Sequence, residues 1–89
     1  MKTILNLRKQ IDSVDNKLIH LLAKRTSLAK QIGKIKKLNS LPAQDLNRWR
    51  TVIDKNVKLA KRLKIDPDLI KKIYALIHEN SIKIQNKKT

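Results

Sequence analysis

Ten positions near the start of the chain, Ile4, Leu7, Ile11, Val14, Leu18, Leu21, Arg25, Leu28, Ile32 and Ile35, follow one another at alternating steps of three and four. Nine are apolar and one is arginine. This is the spacing of a coiled-coil seam along one helix. Leu5, Ile19, Leu22 and Ala29 add a second apolar flank, so the stripe is wide enough for more than one partner helix. A helix from about residue 3 to residue 38 is about 54 Å long at ~1.5 Å per residue. A chain of 89 residues cannot cover such a stripe by itself. The seam therefore predicts pairing with a second copy of the chain.

The remainder also reads as helix. The chain has one Gly, two Pro and no Phe, and its β-branched residues are mostly Ile within helical spacing. The stretch NSLPAQD interrupts the first helix, because Pro42 disfavours the α conformation at Leu41. Asp45 suits the N-cap of a second helix over about 46–63, with Leu46, Trp49, Val52, Ile53, Val57, Ala60 and Leu63 inward. In KIDPDLI, Asp66 is a third-helix N-cap, Pro67 occupies the first turn and Asp68 follows. That helix should run over about 67–85, with Leu69, Ile70, Ile73, Tyr74, Leu76 and Ile77 inward, followed by the frayed tail NKKT. The expectation is one all-α domain over residues 1–89, three helices per chain, in an intertwined homodimer.

Several classes of chemistry are excluded or disfavoured. Without Cys there are no disulfides, thiolates or Cys-ligated metals. His20 and His78 are isolated and lack metal-ligand spacing, which suits a surface or core-edge role. No Ser/His/Asp arrangement or Gly-rich phosphate loop is present. The opening MKTILNLRKQ is broken by polar residues too early for a signal peptide, and no apolar run spans a membrane, so a cytoplasmic protein is expected. The net charge of +15 raises two partner classes, nucleic acid and small anions. Trp49 and Tyr74 are the only aromatics, which gives little capacity for base stacking. Many lysines, among them Lys55, Lys58, Lys61, Lys64, Lys71 and Lys72, fit solvated helix faces.

Arg25 is the local anomaly. An unpaired buried guanidinium is costly, so it requires an anion or acceptors. One reading is a buried ion pair that fixes register. The other is that the anion is a ligand. Lys36 lies eleven residues on, about three turns and ~16 Å along nearly the same face. Arg25 and Lys36 could bracket a small dianion. Arg8, seventeen residues before Arg25 and ~25 Å away, could reach that ligand only from an antiparallel second copy. Ser81 and Gln85 are four apart on one face of the third helix and can hydrogen-bond, although an ordinary polar helix end would look the same.

The segment LRKQIDSVDNKLIHLLAKRTSLAKQIGKIK resembles the long first helix of the all-helical chorismate mutases. The likeness continues through LPAQDLNR, IDPDLI and IHENSIKIQ, from about Leu7 to Gln85. It implies an intertwined dimer of three-helix chains with two sites, each drawing on both chains. The implied reaction is the Claisen rearrangement of chorismate to prephenate on the route to Phe and Tyr, without a cofactor. By resemblance Arg25 and the partner copy's Arg8 bind the two substrate carboxylates. Lys36 and Gln85 hydrogen-bond the ether oxygen, and Asp45, Arg48 and Ser81 line the rest.

Position 49 departs from that pattern. The mutases usually carry a Glu after the matched Arg, in contact with the substrate hydroxyl, and here it is Trp49, which cannot accept a hydrogen bond. Isochorismate pyruvate-lyases and aminodeoxychorismate mutases, similar enzymes on the same fold, often place an apolar residue there. The expectation is a chorismate mutase, with such a sister enzyme as the alternative. A basic helical nucleic-acid-binding protein is the alternative from another class.

Overall fold

The computed structural model describes residues 3–87. Three helices follow in order, α1 over Ile4–Leu38, α2 over Leu46–Arg62 and α3 over Pro67–Asn86. No strand occurs among the described residues. The last two residues of the expected frayed tail, Lys88 and Thr89, lie outside the described residues. Asn86 of that tail instead closes α3.

Each boundary has a local cause. Asp45 is extended, and its carboxylate accepts the Arg48 N–H, satisfying a free donor of the first turn of α2. Asp66 does the same for Asp68 N–H at the start of α3, beside Pro67, which has no N–H to satisfy. The ends of α1 and α2 share one device. Leu41 N–H donates to Lys36 C=O and Ser40 N–H to Lys37 C=O, while Ile65 N–H donates to Ala60 C=O and Lys64 N–H to Lys61 C=O. This paired pattern is the Schellman motif, which turns on one left-handed residue. Those residues are Ser40 (φ 54°) and Lys64 (φ 60°), neither of them glycine.

α3 is the central element and packs against both α1 and α2. It runs in the same sense as α1: Arg25 meets Tyr74 and Lys36 meets Gln85, an advance of eleven residues on both helices. The two approach most closely at small residues, Ala29 (6% exposed) and Gly33. A Cβ built on Gly33 would stand 2.9 Å from Gln85 Cα, so a methyl group there would force the helices apart.

The single chain has little core. Ala29 and Ala60 are its buried apolar residues, and its extents are 59 × 28 × 14 Å. The inward faces assigned by periodicity are only partly covered. Ile53, Val57, Ile70, Tyr74 and Ile77 are half-buried, but Leu46, Leu63, Leu69, Ile73 and Leu76 are exposed, Leu76 at 68%. Only α1 and α2 pack on α3, which leaves these side chains without cover in the single chain. Along α1 the seam is exposed throughout, at Ile4, Leu7, Ile11, Val14, Leu18 and Leu21 and also at Leu28, Ile32 and Ile35, because α3 covers only the flank at Ala29 and Gly33.

Candidate active site

A pocket of about 260 Å³ opens where the C-terminal half of α1, the start of α2 and the end of α3 converge. α1 supplies Arg25 from the seam and Lys36 from beside it, with Leu28, Ala29 and Ile32 between them as an apolar floor. The loop contributes Ala43, and the first turn of α2 contributes Asp45, Arg48 and Trp49. α3 contributes His78, Ser81 and Gln85, at spacings of three and four that place them on one face. Three permanent cations and one carboxylate therefore line the cavity, which suits a small anion.

Arg25 is half-buried, and its Nη1 donates to Ser81 Oγ at 3.0 Å. Its guanidinium carbon stands 6.0 Å from the centre of the Tyr74 ring, at the outer reach of a cation–π contact. Among the described residues the one ion pair is Lys83–Glu79, on the exposed side of α3. No carboxylate of the described residues meets Arg25, so the ion-pair alternative has no partner among them.

Lys36 Nζ donates to Gln85 Oε1 at 2.9 Å and to the Ala43 carbonyl at 2.7 Å. Those two acceptors fix the ammonium while one of its three N–H donors stays free. The same contact occupies the Gln85 carbonyl oxygen and leaves its amide N–H groups for another acceptor. Lys36 and Gln85 thus form a rigid donor pair at one end of the pocket, and Arg25 a cation at the other. The Asp45 carboxylate is tied to the α2 backbone, which sets Arg48 and Trp49 one turn into the helix and facing the same cavity.

Seven of the eight residues singled out from the sequence, Arg25, Lys36, Asp45, Arg48, Trp49, Ser81 and Gln85, line this one pocket. Arg8 does not: it is exposed on the N-terminal part of α1, ~25 Å along the helix from Arg25. Trp49 is half-buried while Arg50 is exposed, so the aromatic ring and not the neighbouring cation turns inward. His78 sits at the edge of the packed region, half-buried, in keeping with the core-edge reading. Its ring stacks on Trp49 with centroids 4.1 Å apart and planes at 22°, and it lines the pocket. The signal that could have located it is its spacing, three before Ser81 and seven before Gln85.

Residues 7–86 match the family model described as Chorismate mutase type II. The chain is 33% identical over 85 residues to a chorismate mutase from Methanocaldococcus jannaschii, covering 96% of this chain and 86% of that protein. It is 37% identical over 82 residues to a bifunctional chorismate mutase/prephenate dehydratase from Escherichia coli K12, covering 92% of this chain. A bifunctional protein of the same description from Aquifex aeolicus is 38% identical over 63 residues, 71% of this chain. The chain spans only 21% and 17% of the lengths of those two bifunctional relatives.

Proposed function

The chain belongs to the chorismate mutase type II family, and from that premise we propose that it converts chorismate to prephenate. The observation that carries the reading is the fixed pair Lys36–Gln85 facing Arg25 across one apolar-floored pocket. In this rearrangement the ether C–O bond breaks while a C–C bond forms in one cyclic step, with no proton removed and no covalent intermediate. An enzyme contributes by holding the reactive diaxial conformer and by stabilising the charge that develops on the ether oxygen. Arg25 binds one carboxylate. The free donors of Lys36 and Gln85 meet the ether oxygen, and both side chains are already oriented before substrate arrives. Arg48, Asp45, Trp49 and Ser81 complete the wall. No step requires a cofactor or a metal ion.

The working unit in this proposal is a homodimer with shared sites. The exposed N-terminal seam of α1 supports it, since Ile11 is 57% exposed and Leu18 51%. A second copy laid antiparallel along that seam brings the partner subunit's Arg8 to the remaining carboxylate. No helix of the described residues is long and apolar enough to cross a membrane, and a soluble cytoplasmic setting fits this substrate.

Trp49 supports a second reading, a sister enzyme of the same fold acting on isochorismate or 4-amino-4-deoxychorismate. The test is product analysis with all three substrates. Prephenate from chorismate, at a kcat/KM well above the turnover of the other two, is the expected result. Pyruvate release from isochorismate as the dominant reaction would favour the second reading. Salt-dependent retardation of DNA without turnover of any of the three would favour a nucleic-acid-binding protein.

A further inference from the structure

We infer that His78 is a substrate-contacting residue that hydrogen-bonds the ring hydroxyl of the substrate, and that Trp49 positions it by stacking. The inference rests on the proposed chorismate mutase reading. Chorismate presents two carboxylates, an enol ether and one ring hydroxyl. The polar groups of the pocket can be matched to these in turn. The arginines answer the carboxylates, and Lys36 with Gln85 answers the ether. Ser81 already accepts from Arg25, and Asp45 is exposed and already accepts from the Arg48 backbone.

His78 is a pocket-lining polar side chain that neither the carboxylates nor the ether engages. Its imidazole has no hydrogen-bond partner among the described residues, and none of its nitrogens is sealed from solvent. It is half-buried, and the Trp49 face against it removes much of the freedom of its ring. A stacked imidazole keeps its two nitrogens in the ring plane, one donating and one accepting in the neutral form, and both suit a hydroxyl. Trp49 itself offers only an indole N–H donor. Neither residue of the pair reproduces a carboxylate alone, but together they supply a held acceptor on that wall of the pocket.

The test compares kcat/KM for chorismate with that for the analogue in which hydrogen replaces the ring hydroxyl. Wild type, His78→Leu, His78→Gln, Trp49→Phe and Trp49→Leu are assayed. The expected result is that His78→Leu lowers the preference for chorismate over the analogue by about three- to tenfold, the worth of one neutral hydrogen bond. His78→Gln, which keeps a donor and an acceptor, restores part of the preference. Trp49→Phe keeps a stacking face and the preference, whereas Trp49→Leu lowers it. The double variant Trp49→Leu/His78→Leu should be no worse than His78→Leu, because the two act as one unit. As the sole tryptophan, Trp49 also reports the stack directly, and its emission should change in His78→Leu.

Equal losses on both substrates in the His78 variants would make the stack a packing feature and overturn the inference. So would a loss of preference that follows Asp45→Asn, which keeps the helix cap, and leaves the His78 variants unaffected. Absence of chorismate turnover in the wild type would overturn the proposed function itself, and the inference with it. Turnover with an unchanged preference in His78→Leu would overturn the inference alone.

Discussion

The two halves of α1 carry the same three-and-four apolar seam, exposed in both and at Leu28, Ile32 and Ile35 as well, but only the C-terminal half packs its flank against another helix of the chain. From Arg25 onward the helix lies against α3, Ala29 and Gly33 are buried, and Lys36 is fixed by Gln85 and the Ala43 carbonyl. Before Arg25 the same spacing continues through Leu7, Ile11, Val14, Leu18 and Leu21, all exposed. The difference does not come from local propensity, because α1 is one unbroken helix of 35 residues. It comes from what lies opposite. The C-terminal half meets α3 through small residues that allow close approach, and this convergence makes the pocket. The N-terminal half has no such packed flank, and its large seam residues suit knobs-into-holes packing with another long helix. Arg25 stands at the junction of the two regimes.

The largest expected effect comes from attacking the bare half. Leu18→Glu places a charge where a dimer would bury a leucine, once in each copy. Burying a leucine is worth about 1.5–3 kcal/mol, so two per dimer should raise the dissociation constant by about 10²- to 10⁴-fold. Sedimentation equilibrium reads this directly. If Leu18→Glu leaves the dissociation constant unchanged, or if the wild type is a well-folded monomer at micromolar concentration, the N-terminal half is not an interface.

The next effect belongs to the pocket half. Arg25→Ala and Lys36→Ala should each lower kcat/KM by about 10²- to 10³-fold, as when one fixed donor is removed from a developing charge. The fold should survive. Arg25 meets no carboxylate among the described residues, so its removal strands no partner charge there. Loss of helical structure in Arg25→Ala, with activity per folded molecule intact, would make Arg25 a structural cation.

A smaller effect sharpens the boundary between the halves. Gly33→Ala adds a methyl group 2.9 Å from the Gln85 backbone, an atom that cannot rotate away. α1 and α3 must separate, carrying Gln85 from Lys36. Alanine favours the helix by about 1 kcal/mol, which offsets part of an overpacking cost of about 1–3 kcal/mol. The net expectation is a modest fall in melting temperature with about a tenfold loss in kcat. A variant with unchanged kcat would show that the Lys36–Gln85 contact tolerates a shifted backbone.

What the sequence disclosed follows the same division. Features written in consecutive residues were legible: the caps Asp45 and Asp66, the Pro67 start, and the break of the seam at Arg25. Arg25 was visible because it sits on an otherwise apolar stripe and Lys36 because it lies three turns on along nearly the same face, whereas Arg48 came only with the family resemblance. Contacts between helices were not legible. Nothing near His78 or Trp49 in the chain announces that residues 29 positions apart stack at 4.1 Å. Periodicity also assigned Leu46, Leu63, Leu69, Ile73 and Leu76 inward, yet they are exposed in the single chain. Apolar spacing states that a face requires cover but not which neighbour covers it. Arg8 depends on the same missing information.

If, as proposed, the bare half of α1 from one copy completes the pocket of another, two inactive variants should complement each other in mixed dimers. Arg8→Ala and Arg25→Ala proteins, each inactive alone, are mixed in equal amounts and allowed to exchange subunits. Random pairing makes half the dimers mixed, and each mixed dimer holds one of its two sites intact, so activity should return to about one quarter of the wild-type level. Parents and mixture that remain equally inactive, with exchange demonstrated by a mass-tagged subunit, would contradict the shared site.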